Sequence, residues 1–316
     1  MSRGREVRSG SVPGVFGAEQ ALEGIYERFG RHAGYRALHA KGLLTKGTFT
    51  ATPPAAELTR AEHMQGHEVP VTVRVSNGAG NPRSPDYAPD VRGLATSFHL
   101  ADGSRTDISA QTAPYSPTRT PEEFIALVRA SKPAVSSLVR FPLFFATHPS
   151  ALLRFPANAA ALRPPPSYAN CRYFGLHAFK WVDGEGGERF VRYTWLPEAG
   201  EERLSPRAAR ALGRDYLREE FAARLEREPV RFRLELQIAE PGDKVDDSSA
   251  NWPSERRRVI AGTLELTGVE DDGEGEGPIV FDPMRLTDGI EPSEDPILLF
   301  RPSAYSLSVE RRSESG

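Results

Sequence analysis

The chain has 316 residues, 39% hydrophobic and 26% charged, an ordinary globular composition. A net charge of −3 gives no bulk electrostatic case for nucleic acid or an anionic membrane as partner. The single cysteine, Cys171, excludes an intramolecular disulfide and any Cys-rich zinc or iron–sulfur site, and fits a reducing compartment.

Residues 1–17, rich in Gly, Ser and Arg, read as a flexible arm without the apolar run of a signal peptide. No segment reaches the roughly 18 apolar residues of a membrane span, so the sequence predicts a soluble cytoplasmic protein. From Ala18 to Arg31, Leu22, Ile25, Tyr26 and Phe29 recur at helical spacing. KGTFTAT (46–52), VPVTVRVS (69–76) and RGLATSFHL (92–100) read as strands, with a loop dense in Gly, Pro and Asn over 77–89. TPEEFIALVRA (120–130) opens with helix-start chemistry: Thr120 to cap, Pro121 at the first position, and two glutamates at the positive end.

FPLFFATHPSALLRF (141–155) reads as short apolar helices, RPPPSYANC as a linker, and FGLHAFKWV (174–182) as a strand. Residues 205–228 predict the longest helix, stopped by Pro229. In VRFRLELQI, Val230, Phe232, Leu234, Leu236 and Ile238 alternate with polar residues, so one face of a long strand enters a core. Residues 256–269 give a further strand, and DDGEGEG (271–277) a solvated loop. Strands and helices do not alternate regularly, which predicts an α+β fold with an antiparallel sheet or barrel.

Seven histidines are present, yet none forms HExxH, and there is no GxSxG elbow, phosphate loop or dinucleotide fingerprint in proper context. Cys171, in NCRYFG, reads as a buried structural residue. The C-terminal segment carries more information. Arg301 and Tyr305 stand four apart, so on a helix one side chain lies over the other. A guanidinium held against a phenol oxygen favours the phenolate, a ligand for iron. From spacing alone, the plainer reading of Tyr305 is an ordinary core aromatic with Arg301 as its surface neighbour. His39, in RALHAKG (36–42), is by itself open to several roles: metal ligand, proton shuttle, surface or core residue.

Six blocks, in order, change that reading. FDP, GIEPS, D-P-x-L and R-x-x-A-Y across 281–305 resemble the proximal haem segment of the catalase superfamily. RALHAKG is similar to its distal-histidine segment, and VRVSNGAG (73–80), DVRGLATSF (90–98), GLHAFKWV (175–182) and LQIAEPGD (236–243) to further blocks. The resemblance runs from about residue 18 to 308, and length and the TPEEF segment bring the chain near the small catalase-related peroxidases.

The resemblance implies a closed antiparallel β-barrel with surrounding helices, one core over 18–308, a disordered tail over 309–316, and one ferric haem b between barrel and C-terminal helix. It places His39 as the acid–base group, Ser76 as its hydrogen-bond partner and Tyr305 as the axial iron ligand, a ligation general to catalases. Arg301 falls on the residue that keeps the phenolate ionised, Asp295 and His177 on the relay behind it, and Arg36 and Arg74 on partners of the haem propionates. The implied reaction is reduction of hydrogen peroxide and organic hydroperoxides through a ferryl intermediate, with an external one-electron donor.

The chain departs from the family's pattern in SAQTAP (109–114), where Gln111 occupies the place of an asparagine. Two aromatics common just beyond are replaced by Ser116 and Pro117. These changes predict weak catalase activity and a wider channel for bulkier hydroperoxides. Two alternatives stay open: an enzyme that isomerises lipid hydroperoxides, for which the apolar Leu38 lacks the threonine of some relatives, and a haem-binding protein without turnover. A homodimer is the expected assembly.

Overall fold

The computed structural model describes residues 16–132, 137–270 and 279–313. Most of the expected N-terminal arm and the DDGEGEG loop lie outside the described residues. Among the described residues ten strands follow in chain order. β1 (Gly42–Ala51), β2 (Glu68–Asn77), β3 (Arg92–His99) and β4 (Arg105–Gln111) form an antiparallel meander. β5 (Tyr173–Phe174), β6 (Phe179–Val182), β7 (Glu188–Pro197), β8 (Val230–Ile238), β9 (Arg258–Val269) and β10 (Ile290–Pro292) complete the sheet.

The order β7-β5-β4-β3-β2-β1-β9-β8 returns from β8 to β7, closing an eight-stranded antiparallel barrel, with β6 and β10 added on the outer side of β7. Closure removes the exposed edges that an open sheet of this size would carry. The α+β barrel expected from the sequence is the fold observed.

Among the described residues eight helices surround it: α1 (Ala18–Phe29), α2 (Pro53–Ala56), α3 (Pro121–Ala130), α4 (Ser137–Thr147), α5 (Pro149–Ala161), α6 (Pro206–Ala211), α7 (Tyr216–Leu225) and α8 (Pro296–Ser313). The Thr120 hydroxyl accepts from the Glu123 backbone N–H at 3.3 Å, so α3 starts as its sequence predicts.

Strand alternation sorts the barrel's side chains. Val73, Val75, Leu94, Ile108 and Ala110 face a buried core that also holds Phe49, Phe98 and Trp195. Phe49 packs edge-on against Phe98 and Trp195, with centroids 5.2 and 6.1 Å away. On β8 the expected residues Val230, Phe232, Leu234 and Leu236 are buried, and Arg231 and Arg233 are exposed. Each large apolar side chain buried this way contributes about 1.5–3 kcal/mol.

Three expectations change. The predicted long helix over 205–228 is two helices, because Gly213 takes φ 107° and ends α6, while the Asp215 carboxylate receives Lys41 at 2.6 Å. The single strand over 174–182 is β5 and β6, broken where His177 turns toward Asp295. The last helix runs on to Ser313, past residue 308, with Arg311 held to Glu23 of α1 at 2.7 Å.

Candidate functional site

One row of the barrel prepares the site. Gly42, Ser76, Gly93, Gln111 and Phe174 stand opposite one another across β1, β2, β3, β4 and β5. Two residues along, Arg74, Ala95 and Ser109 form a second row. With a side-chain period of two, both rows share the face turned away from the barrel core. Most of these residues are small, so this outer wall is a shallow floor. Helices α1, α3 and α8 roof it, enclosing a cavity of about 310 Å³. From α8, Ile297, Phe300, Arg301, Ala304, Tyr305 and Ser308 line it, the repeat of one helix face.

His39 lies in the segment between α1 and β1. Its φ of 55° makes it the one non-glycine residue with positive φ among the described residues, a backbone state that costs of order 1–3 kcal/mol. The surroundings impose it: its backbone N–H donates to Gly78 at 3.0 Å, and its Nδ1 meets the Ser76 hydroxyl at 3.0 Å. Gly93 makes room for this pair. A Cβ there would lie 2.8 Å from both His39 Nδ1 and Ser76 Oγ. Burial first, then the positive charges of Arg74, Arg301 and Arg36, push the His39 pKa down to about 3. The ring is therefore neutral at pH 7.

Arg301 lies over the Tyr305 ring, 5.7 Å from its centroid. The contact is to the ring face, where the sequence reading expects the phenol oxygen. Behind this pair, His177 and Asp295 are both buried and joined at 3.1 Å. Burial raises the Asp295 pKa, but hydrogen bonds from His177, Leu298 and Ser248 outweigh it and hold the carboxyl below its ordinary range. Burial lowers the His177 pKa, against the raising effect of Asp295. A neutral histidine thus donates to an ionised aspartate.

Arg36 donates to the Ile279 carbonyl and lies 5.6 Å from the Phe281 ring centroid, and Arg74 donates to the Ala40 carbonyl at 3.3 Å. Both also line an open cleft of about 900 Å³ on the far side, next to Lys41 and Arg218. Gln111 faces the cavity, its backbone held between β3 and β5. Ser116 and Pro117 line the same wall, with the Ser116 hydroxyl turned back to the Thr118 carbonyl at 2.7 Å. Cys171 is buried away from this cavity, as its sequence setting predicts.

Of the nine residues given a site role in the sequence, eight line this cavity, and Asp295 stands behind the wall, reached through His177. The sequence reading did not pick out the floor residues Gly93, Ala95 and Ser109, or Phe124 and Ile125 of α3. The available signal was small residues at alternate positions in RGLA and ISAQ.

A largely apolar cavity lined by Arg36, Arg74 and Arg301, with Tyr305 of α8 among its walls, suits a porphyrin bearing carboxylates, the class of a haem-binding barrel. Residues 21–314 match the catalase family, and the chain belongs to it. It is 49% identical over 295 residues to the catalase-related peroxidase of Mycolicibacterium paratuberculosis, covering 93% of this chain and 94% of that one. The catalase-related peroxidase of Synechococcus elongatus is 35% identical, with 93% and 88% covered. The catalase of Pseudomonas aeruginosa is 29% identical, and the match spans 86% of this chain but 56% of that protein. Membership of this family implies haem binding. Among the described residues no helix is long and apolar enough to cross a membrane.

Proposed function

We propose that this protein is a haem b peroxidase of the cytoplasm that reduces hydrogen peroxide and organic hydroperoxides with an external one-electron donor, retaining weak catalase activity. The observation that carries this reading is the neutral, Ser76-bound His39 facing the same cavity as the Arg301–Tyr305 pair.

Tyr305 would ligate the iron through its phenol oxygen, Arg301 would favour the anionic ligand, and Arg36 and Arg74 would hold the propionates. Haem, when bound, supplies the redox centre. The protein's own part is proton movement. In the tautomer whose Nδ1–H faces Ser76, Nε2 of His39 is the acceptor. It takes the proton from one peroxide oxygen and returns it to the other, which leaves as water or alcohol when the O–O bond breaks. The depressed pKa of His39 keeps the ring unprotonated before the peroxide arrives.

Gln111 supplies an amide on the same wall to hold the peroxide. Ser116 and Pro117 place no aromatic ring at their own two positions beside Gln111, which favours hydroperoxides larger than hydrogen peroxide. The open cleft behind Arg36 and Arg74 gives the donor its approach.

The test is to load the protein with haem and supply hydrogen peroxide, then cumene hydroperoxide, with and without an oxidisable donor, following oxygen release. Donor oxidation with both substrates and little oxygen is the expected result. Vigorous oxygen release from hydrogen peroxide would make the protein a small catalase. Donor-independent conversion of a lipid hydroperoxide to a product of equal mass would make it an isomerase.

A further inference from the structure

The hairpin of α4 and α5 carries an apolar face that nothing among the described residues covers. Leu138, Val139 and Leu143 of α4 are 75, 69 and 57% exposed; Leu152, Leu153 and Phe155 of α5 are 54, 83 and 41% exposed. Six of the ten large apolar side chains exposed among the described residues thus fall on one helical pair. The pair is anchored by its other side: Phe144 and Ala151 are buried with Ala130 of α3, and Phe145 packs against Phe144 and Phe155 at 5.6 and 5.2 Å. Apolar on both faces, these helices ask for a partner beyond the chain.

Charge identifies the partner's chemistry. From Ala130 to Arg163 the sequence contains Lys132, Arg140, Arg154 and Arg163 and no aspartate or glutamate, within a chain of net charge −3. Lys132, Arg140 and Arg163 are exposed. A two-fold dimer on this face would present the same segment twice, setting its cations toward a segment without acidic residues, although Glu123 of α3 lies 4.0 Å from His148 at its edge. An anionic phospholipid surface answers both features, taking the leucines into the acyl boundary and the basic residues among the headgroups.

The hairpin also adjoins the cavity. It packs on α3, whose Phe124 and Ile125 line the cavity, and Asn158 of α5 donates to the Tyr115 carbonyl at 3.2 Å, one residue before Ser116 and Pro117.

We propose that α4 and α5 dock the protein on anionic membrane surfaces, so that its substrates are hydroperoxides of membrane acyl chains. The docking stands on the hairpin alone; the substrate class rests on the peroxidase reading above.

The test uses the full-length, haem-loaded protein in flotation with phosphatidylglycerol-containing vesicles and with pure phosphatidylcholine vesicles. The expected result is flotation with the former only, at least tenfold weaker for the double variant Leu138→Glu, Leu153→Glu. These residues do not line the cavity, so that variant keeps its cumene hydroperoxide turnover. Equal flotation with neutral vesicles, or none with either, overturns the proposal. A wild-type dimer in sedimentation that the double variant dissociates, without vesicle binding, assigns the face to a second copy and also overturns it. With a phospholipid hydroperoxide in the anionic vesicles, the wild type outpaces the variant, while both reduce cumene hydroperoxide alike. If the wild type reduces neither, the peroxidase reading fails, and flotation still decides the docking.

Discussion

The two carboxylate oxygens of Asp295 serve different elements: Oδ2 accepts from His177 Nδ1 at 3.1 Å, and Oδ1 accepts from the backbone N–H groups of Ile297 and Leu298 at 2.8 and 3.2 Å. One buried carboxylate therefore starts the helix that carries Arg301 and Tyr305 and fixes the turn between β5 and β6. Asp295→Ala removes the cap and leaves the His177 N–H buried without its acceptor. The expected loss of stability is about 2–4 kcal/mol from those two effects. Asp295→Asn keeps a capping oxygen toward Ile297 and Leu298 but turns an NH2 toward the N–H groups of His177 and Ser248, so it is expected to lose about 1–3 kcal/mol, less than the alanine variant by the retained cap. Urea unfolding of both variants checks this. Equal losses would mean that the cap contributes nothing.

Gly93 tests the positioning of His39. A methyl group there meets Nδ1 of His39 and Oγ of Ser76 at 2.8 Å, and the imidazole Cε1 at 2.9 Å. Of the groups it meets, the ring, already on a strained backbone, is the one free to give way into the cavity. Gly93→Ala is expected to leave the far-ultraviolet circular dichroism unchanged while peroxide consumption falls about 100-fold, the scale of a 1 Å misplacement. Full activity in a folded Gly93→Ala protein would remove His39 from the proposed proton transfer.

His63 predicts an acid weakness away from the cavity. It is buried against Phe98, with ring centroids 4.6 Å apart, and its Nδ1 has no hydrogen-bond partner among the described residues. Burial, then the nearby His67, push its pKa down to about 3 from an ordinary 6.5. Between these values the unfolded chain binds the extra proton, so stability is full above pH 6.5 and declines as pH falls toward 3. At pH 5 the loss from this one group is about 2 kcal/mol relative to pH 7.5. Asp107, raised to about 6 chiefly by burial, acts in the opposite direction over the upper part of that range. His63→Phe keeps the ring contact and removes the titration. The urea midpoint of the variant is expected to shift less between pH 7.5 and 5 than that of the wild type; identical shifts would contradict the assignment.

Much of this molecule is legible in its sequence wherever one face of an element meets a core. The strict alternation of β8 and the Pro-Glu-Glu start of α3 are visible because a residue that is present declares itself. The cavity floor is made by what is missing. Gly93, Ala95 and Ser109 act by leaving room, and a small residue in a strand looks the same whether it makes a floor or merely a weak strand. The split of 205–228 is of the same kind: the periodicity continues through Gly213, and the preference of that glycine for φ above zero decides the break. His39, Arg301 and Tyr305 stood out through ordered motifs, whereas the contact of Arg301 with the ring face depends on side-chain torsions that spacing does not determine.

Gln111 offers the sharpest separation of the two peroxide reactions. Its backbone is fixed by pairing with Gly93 on one side and Phe174 on the other, so a change at this side chain leaves the strand in place. Gln111→Asn withdraws the amide by one methylene toward the barrel wall. If the longer side chain is what limits disproportionation, oxygen release from hydrogen peroxide rises about tenfold, well inside the hundredfold range that a 1 Å displacement of a catalytic group can cause. Cumene hydroperoxide reduction is expected to stay level, because the space beside Ser116 and Pro117 is unchanged. Parallel oxygen-electrode and donor-oxidation assays read the two reactions separately. A fall in both would mean that the glutamine is matched to this wall as it stands, and that the reach of its amide, with the missing aromatics, defines the site's preference for larger hydroperoxides.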